Sequence, residues 1–155
     1  MIIEKATEND HLILTEITKK SKAYWGYSEE QLLKWNSNLT ITTAYINENS
    51  VYKLVNKNKI IGYYSYLEKE NKTIYLDNLF ILPEKIGFGL GTFLINDLIA
   101  KVKNKGIQSI VLHSDPNAEK FYLKMGFKKI GEFETAIKNR FLPIMELKFL
   151  DSLLF

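Results

Sequence analysis

Three glycines at alternate positions, Gly87, Gly89 and Gly91, stand between a strongly apolar run and an amphipathic one. Glycine takes backbone dihedrals closed to other residues and lets a ligand approach the main chain without meeting a Cβ. At the start of a helix the N–H groups are unpaired and lie at the positive end of the dipole, so this pattern suits a phosphate or pyrophosphate. The same residues would also make a plain tight connection, and context must decide. No Lys followed by Ser or Thr closes the glycine run, which excludes a P-loop. A dinucleotide fold asks for an acidic residue about 20 positions on, at the end of a second strand. Here the next strand ends in His113-Ser114-Asp115-Pro116, where Asp115 is better placed to cap a helix.

The glycines must be held by the elements around them. The apolar run 76–82 reads as a strand closed by Pro83, which has no N–H to give a ladder. Beyond the turn, Leu90, Phe93, Leu94, Leu98, Ile99 and Val102 recur at helical spacing, with Asn96, Asp97, Lys101 and Lys103 on the other side and Gly106 as the stop. Residues 107–112 should return as a strand parallel to 76–82 through a right-handed crossover. Asp115 as N-cap, Pro116 at the first helical position and Gly126 at the end delimit another helix. On it Ala118, Phe121, Tyr122 and Met125 share a face, which by spacing alone is a core stripe. Residues 127–133 and 141–149 read as the last strands, with a polar loop at 134–140 and an apolar tail at 151–155 that would pack on the sheet or a partner subunit.

Upstream, residues 2–5 read as a short strand, and Thr7 and Asp10 have capping-box spacing. A first helix carries Leu14, Ile17, Ser21 and Tyr24 along one side and runs into the cluster Tyr24, Trp25, Tyr27. Ser28 and Gln31 box a second helix through Leu32, Leu33 and Trp35. Residues 36–50 read as a connector with one short turn near Tyr45. Strands at 51–55 and 60–67 flank a hairpin turn at 56–59, and Asn71-Lys72 makes the next turn.

At 155 residues and 46% hydrophobic content the chain is expected to form one domain, 1–155, around one core. The 21 basic and 18 acidic residues, for a net charge of +3, are mixed along the chain and argue against nucleic acid. Absence of cysteine excludes disulfides, thiol nucleophiles and thiolate metal sites, and His11 and His113 alone make no metal cluster. With no signal-peptide core and no membrane-length apolar run, a soluble cytoplasmic protein with no membrane association is the expectation.

Two stretches together resemble the GCN5-related N-acetyltransferase (GNAT) superfamily. Its acetyl-CoA signature, Gln/Arg-x-x-Gly-x-Gly/Ala, falls on Ile86-Gly87-Phe88-Gly89-Leu90-Gly91, with Ile86 in place of the usual Gln or Arg and Phe88 at an often polar position. Its other core motif, Asn-x-x-x-x-Phe-Tyr-x-x-x-Gly-Phe, is similar to Asn117 through Phe127, in the right order and at a usual separation. The resemblance implies an α+β (α/β/α sandwich) fold: a mixed, mainly antiparallel sheet of about seven strands, helices on both faces, and a central parallel pair that splays at its carboxyl ends.

It further implies acetyl-CoA as acetyl donor and a primary amine of a small molecule or peptide as acceptor. Pantetheine would pair like an added strand with the backbone at Phe80, Ile81 and Leu82, leaving the thioester near Leu79 and Phe80. The diphosphate would rest on N–H groups from Gly87 to Thr92, while Asn117 reaches the pantetheine arm and Phe121 packs on it. Tyr122 matches the family's usual acid for the departing thiolate. A neutral amine must attack, so a base is needed, and Asp77 is the best-placed carboxylate, acting through a water. Glu29 and Glu30 read as partners of a helix dipole, and His113 as a structural imidazole or proton relay. Tyr24, Trp25 and Tyr27 would line the acceptor side, where rings and carboxylates suit a cation with an apolar body. The alternative class is an acetyl-CoA-binding or protein-interaction module of the same fold without catalysis. A homodimer is compatible with the apolar tail.

Overall fold

The computed structural model describes residues 1–149. In chain order its elements are β1 (Ile2–Lys5), α1 (His11–Tyr24), α2 (Glu29–Lys34), α3 (Asn36–Leu39), α4 (Thr43–Glu48), β2 (Ser50–Asn56), β3 (Lys59–Lys69), β4 (Thr73–Ile81), α5 (Leu90–Asn104), β5 (Ser109–His113), α6 (Glu119–Lys124), β6 (Lys128–Glu134) and β7 (Phe141–Lys148). The strands form one seven-stranded sheet in the order β1-β2-β3-β4-β5-β7-β6. It is mixed: β4 and β5 pair in parallel, while β1–β2, β2–β3, β5–β7 and β6–β7 are antiparallel. Two compact units divide the chain, Met1–Tyr66 with Asn78–Leu98, and Leu67–Asp77 with the chain from Ile99 on.

In the first unit the β2–β3 hairpin turns through Lys57 (φ 51°) and Asn58 (φ 64°), the two left-handed positions of a type I′ turn. Successive residues of β3 point to opposite faces, and helices cover both. Tyr63 meets the Thr18 hydroxyl of α1, whereas Tyr64 donates to Asp97 Oδ2 of α5 at 2.7 Å. Asp97 therefore does not simply face water, as periodicity suggests: it docks α5 onto a buried phenol. Leu90, Leu94, Ile95, Leu98 and Val102 are the buried residues of α5, and Phe93 lies outside at 44% exposure. The stripe on α1 ends at Ser21, whose Oγ donates to the Ile81 carbonyl at 2.8 Å, and Tyr24 is exposed instead of packed.

Residues 36–50 hold two short helices where one turn was expected. Thr42 Oγ1 accepts from Tyr45 N at 3.0 Å and starts α4, while α3 begins directly after Trp35. Each helix buries one residue, Leu39 or Ile46, too few to imprint a period on the sequence.

In the second unit, the tight turn at Asn71 (φ 59°) and Lys72 (φ 55°) leads into β4. The parallel ladder covers residues 73–75 against 109–111, after which Leu112 and His113 continue on β7, opposite Met145 and Ile144. Ladder pairing on β5 begins at Ser109 instead of 107, because Ile107 N closes the end of α5 on the Val102 carbonyl and Gln108 N bonds Lys72. Asp115 caps as expected, accepting from Asn117 N at 2.9 Å, but the first turn, Pro116–Ala118, is 3₁₀ and α6 starts at Glu119. Gly126 (φ 96°) ends α6, and Tyr122 and Phe127 meet in the core at 5.4 Å. The apolar tail 151–155 lies outside the described residues.

Candidate active site

From β4 the chain leaves through Leu82, which is buried and anchored by its N–H on the Ile61 carbonyl at 2.9 Å. Leu79, Phe80 and Ile81, before it, are half-buried. After a 3₁₀ turn, Pro83–Lys85, come Gly87 at φ 94° and Gly89 at φ 75°, both in the left-handed region that favours glycine. A Cβ built on either would meet no protein atom within 4 Å. Open space thus faces the backbone on the turn that heads α5. Gly91 lies in the first turn of α5, and the first helical bond runs from Phe93 N to Gly89 O at 3.0 Å. The N–H groups at the start of α5 precede the first acceptor their own helix can offer. Ile86 and Phe88 project outward, 41% and 74% exposed.

Gly62 was not singled out by motif, and its importance is steric. A Cβ there would stand 2.7 Å from Ile81 Cδ1 and 2.8 Å from the Phe80 carbonyl oxygen. A lone glycine inside a strand pattern is the signal that could have found it.

The aromatic residues after α1 separate into two pairs. Tyr24 and Trp25 pack edge to face at 5.2 Å and are 53% and 41% exposed. Tyr27 packs instead on Trp35 at 4.9 Å. Lys22 Nζ lies 5.9 Å from the ring centres of both Tyr27 and Trp35 and 6.0 Å from that of Phe80. Glu29 and Glu30 occupy the first turn of α2, and Glu30 pairs with Lys34 at 3.6 Å on the surface.

In the second unit Tyr122 is buried, 7% exposed, with Phe121 edge-on at 5.1 Å. Burial first, and then the negative charge of Asp115, raise its phenol above the ordinary tyrosine range. Asp115 Oδ1 also receives the Asn117 side-chain amide at 2.9 Å, and Oδ2 lies 3.8 Å from Arg140. Asp77 is exposed on β4. His113 stacks on Phe133 at 4.6 Å and meets Tyr75 edge-on at 5.3 Å, so the ring is packed, and burial lowers its pKa from the ordinary imidazole value. No group of metal-ligating side chains is present among the described residues, and no helix among them is long and apolar enough to cross a membrane.

The model of the acetyltransferase (GNAT) domain matches residues 25–148. A [ribosomal protein bS18]-alanine N-acetyltransferase of Haemophilus influenzae is 33% identical over 92 residues, 59% of this chain and 60% of that protein. The match therefore spans about three fifths of that relative. A 5-NmdU N-acetyltransferase of Pseudomonas phage PaMx11 is 23% identical over 135 residues, covering 85% of this chain and 90% of the phage protein. Among solved structures, PaiA N-acetyltransferase from Thermoplasma acidophilum in complex with coenzyme A superposes with a TM-score of 0.79 at 21% identity, over 96% of this chain and 98% of that one. The seven-stranded mixed sheet with its parallel pair matches the fold of that solved structure. With the family model spanning most of its length, the chain belongs to the GNAT acetyltransferase family.

Proposed function

We propose that this protein transfers the acetyl group of acetyl-CoA to a primary amine of a small molecule or peptide by direct attack. One observation carries the reading: two left-handed glycines border open space at the head of a 15-residue helix that follows a strand, as a backbone cradle for a diphosphate requires. Ile86 and Phe88 offer that diphosphate no polar side chain, so the N–H groups from Gly87 to Thr92 bear the binding. The backbone of Phe80, Ile81 and Leu82 receives the pantetheine amides as an added strand, and Asn117 and Phe121 contact its arm.

Acetyl-CoA supplies the activated acetyl group. Asp77, exposed on β4, takes through a water the proton that the ammonium form of the acceptor must lose. As the N–C bond forms and the C–S bond breaks, Tyr122 gives its proton to the departing thiolate, and the second proton, which the nitrogen sheds on becoming an amide, restores the phenol through solvent. A thiol ordinarily titrates near 8.5 and a phenol near 10, so the transfer is uphill in water. Burial that raises the phenol would raise a neighbouring thiol in the same way, so burial alone leaves the gap between the two about as it is in water. Tyr24 and Trp25, exposed, and Tyr27 on Trp35 supply the acceptor's aromatic wall. Lys22 Nζ lies about 6 Å from the rings of Tyr27, Trp35 and Phe80, so rings of this cluster already attract one cation, which supports their use for an amine.

Calorimetry with acetyl-CoA, followed by thiol release with spermidine, kanamycin, an alanine-initiated hexapeptide and Nα-blocked lysine, tests the reading. Binding with amine-dependent release is expected. Binding with no release on any amine would favour a non-catalytic module, and no binding would overturn both.

A further inference from the structure

In the first unit three polar side chains close a triangle. Asn78 Nδ2 lies 2.9 Å from Ser65 Oγ and 3.2 Å from Tyr45 Oη, and the two hydroxyls are 2.8 Å apart. Counting protons fixes the amide. With Oδ1 inside the triangle, both hydroxyl protons would go to it and none would remain for the contact between Tyr45 and Ser65. With the NH₂ inside, the amide supplies two protons and one hydroxyl the third, so all three contacts are hydrogen bonds. Ser65 is fully buried, and no buried side-chain polar atom among the described residues lacks a partner. Asn78 Oδ1, outside the triangle, is therefore open to solvent with its direction set by the other half of the amide.

Strand alternation places Asn78 on the same face of β4 as Phe80, opposite Asp77, which reaches the amine only through its water, and Ser65 on the same face of β3 as Tyr63. The rings of Tyr63 and Phe80 are 6.0 Å apart, and this is the face that carries α1, α4 and the Lys22 ring cluster. A fixed hydrogen-bond acceptor thus stands two residues from Phe80.

We infer that Asn78 Oδ1 receives an N–H of the acceptor amine and aims the nitrogen lone pair at the acetyl carbonyl, with Tyr45 and Ser65 as positioning residues that hold the amide. The inference rests on the acetyl-transfer reading, which puts the thioester beside Leu79 and Phe80. An uncharged acceptor suits the task. A carboxylate at this place would favour the ammonium form and raise the amine's pKa, holding the nucleophile protonated, whereas an amide oxygen orients it with little such bias.

The test uses whichever of spermidine, kanamycin, the alanine-initiated hexapeptide or Nα-blocked lysine the wild type acetylates fastest. Asn78→Leu should raise the KM for that amine about tenfold or more at every pH, with acetyl-CoA affinity by calorimetry unchanged. Asn78→Asp keeps the oxygen, so its deficit at pH 7 should shrink as the pH is raised towards 10. Tyr45→Phe and Ser65→Ala, each of which frees the amide to turn, should lose about three- to tenfold in kcat/KM for the amine only. Wild-type constants for the amine in a folded Asn78→Leu would overturn the inference and leave acetyl transfer standing. A wild type that acetylates none of the four amines would overturn the reading beneath it.

Discussion

Gly62 of β3 lets the backbone of Phe80 on β4 come so near that an added Cβ would stand 2.8 Å from its carbonyl oxygen. Neither atom can yield by rotating a side chain, because one lies on the backbone and the other is fixed to it. Gly62→Ala should therefore push β4 away over the residues proposed to pair with pantetheine. An overpacking cost of about 1–3 kcal/mol is expected in denaturant unfolding, together with weaker acetyl-CoA binding. Unchanged stability would mean that β3 and β4 separate at little cost.

Gly87 and Gly89 make a different demand, for positive φ in open space. Gly89→Ala should cost about 1–2 kcal/mol of stability from left-handed strain alone, since its Cβ meets no protein atom. Acetyl-CoA affinity should fall by more than that strain explains, because the methyl occupies the diphosphate's approach. Gly126→Ala, also at positive φ and with only a 3.6 Å contact to Leu147, is the control, with similar strain and unchanged affinity. Equal affinity losses in both variants would remove the glycine turn from the binding site.

Tyr122→Phe deletes one hydroxyl and keeps the ring between Phe121 and Phe127. Acetyl-CoA binding should survive while kcat falls by roughly 10²-fold, the range for a positioned acid. Because burial and Asp115 hold the phenol above its ordinary range, the wild-type rate should show no Tyr122 limb at the usual pH of about 10, and its loss should come only at more alkaline pH. Full turnover in the folded variant would return Tyr122 to a purely packing role.

Asp10 and Lys53 tie the start of α1 to β2 at 2.8 Å, both side chains largely shielded. Burial alone would raise the Asp10 carboxyl, but the Lys53 hydrogen bond and charge, with the Thr7 amide, bring it below its usual value. The folded pKa is the lower one, so the contribution is present above the unfolded value of about 4 and is lost as pH falls through the folded value. Asp10→Asn should lower stability at pH 7 by about 1–2 kcal/mol and flatten the acid limb of the stability profile. Identical urea midpoints for wild type and variant at pH 7 and at pH 3 would show that the pair contributes nothing.

Most elements were legible because their signals are local. The turn at Lys57-Asn58, the Asp115 cap and the stops at Gly106 and Gly126 each depend on one or two residues whose backbone preference is intrinsic. The two motifs that place the chain in its family are likewise contiguous. What periodicity could not supply was the docking of α5, since Asp97 is polar in any pattern and only the fold brings it to Tyr64. Tyr45, Ser65 and Asn78 come from three separate elements and became a group only through β3 and β4 pairing. Trp35 is not legible as the partner of Tyr27 because only the folding of the turn and helix between them brings the two rings together, and Gly62 is not because one glycine in a strand carries no chemistry of its own.

The central claim is that the acetyl group leaves coenzyme A for an amine on this protein. Acetyl-CoA labelled with deuterium in its methyl group, incubated with the protein and each amine of the panel and followed by mass spectrometry, measures that directly. The account predicts a labelled acetyl-amine formed in step with free coenzyme A thiol, and a rate that collapses in Tyr122→Phe. Retention of the label on coenzyme A with every amine, by protein that binds acetyl-CoA, would contradict it.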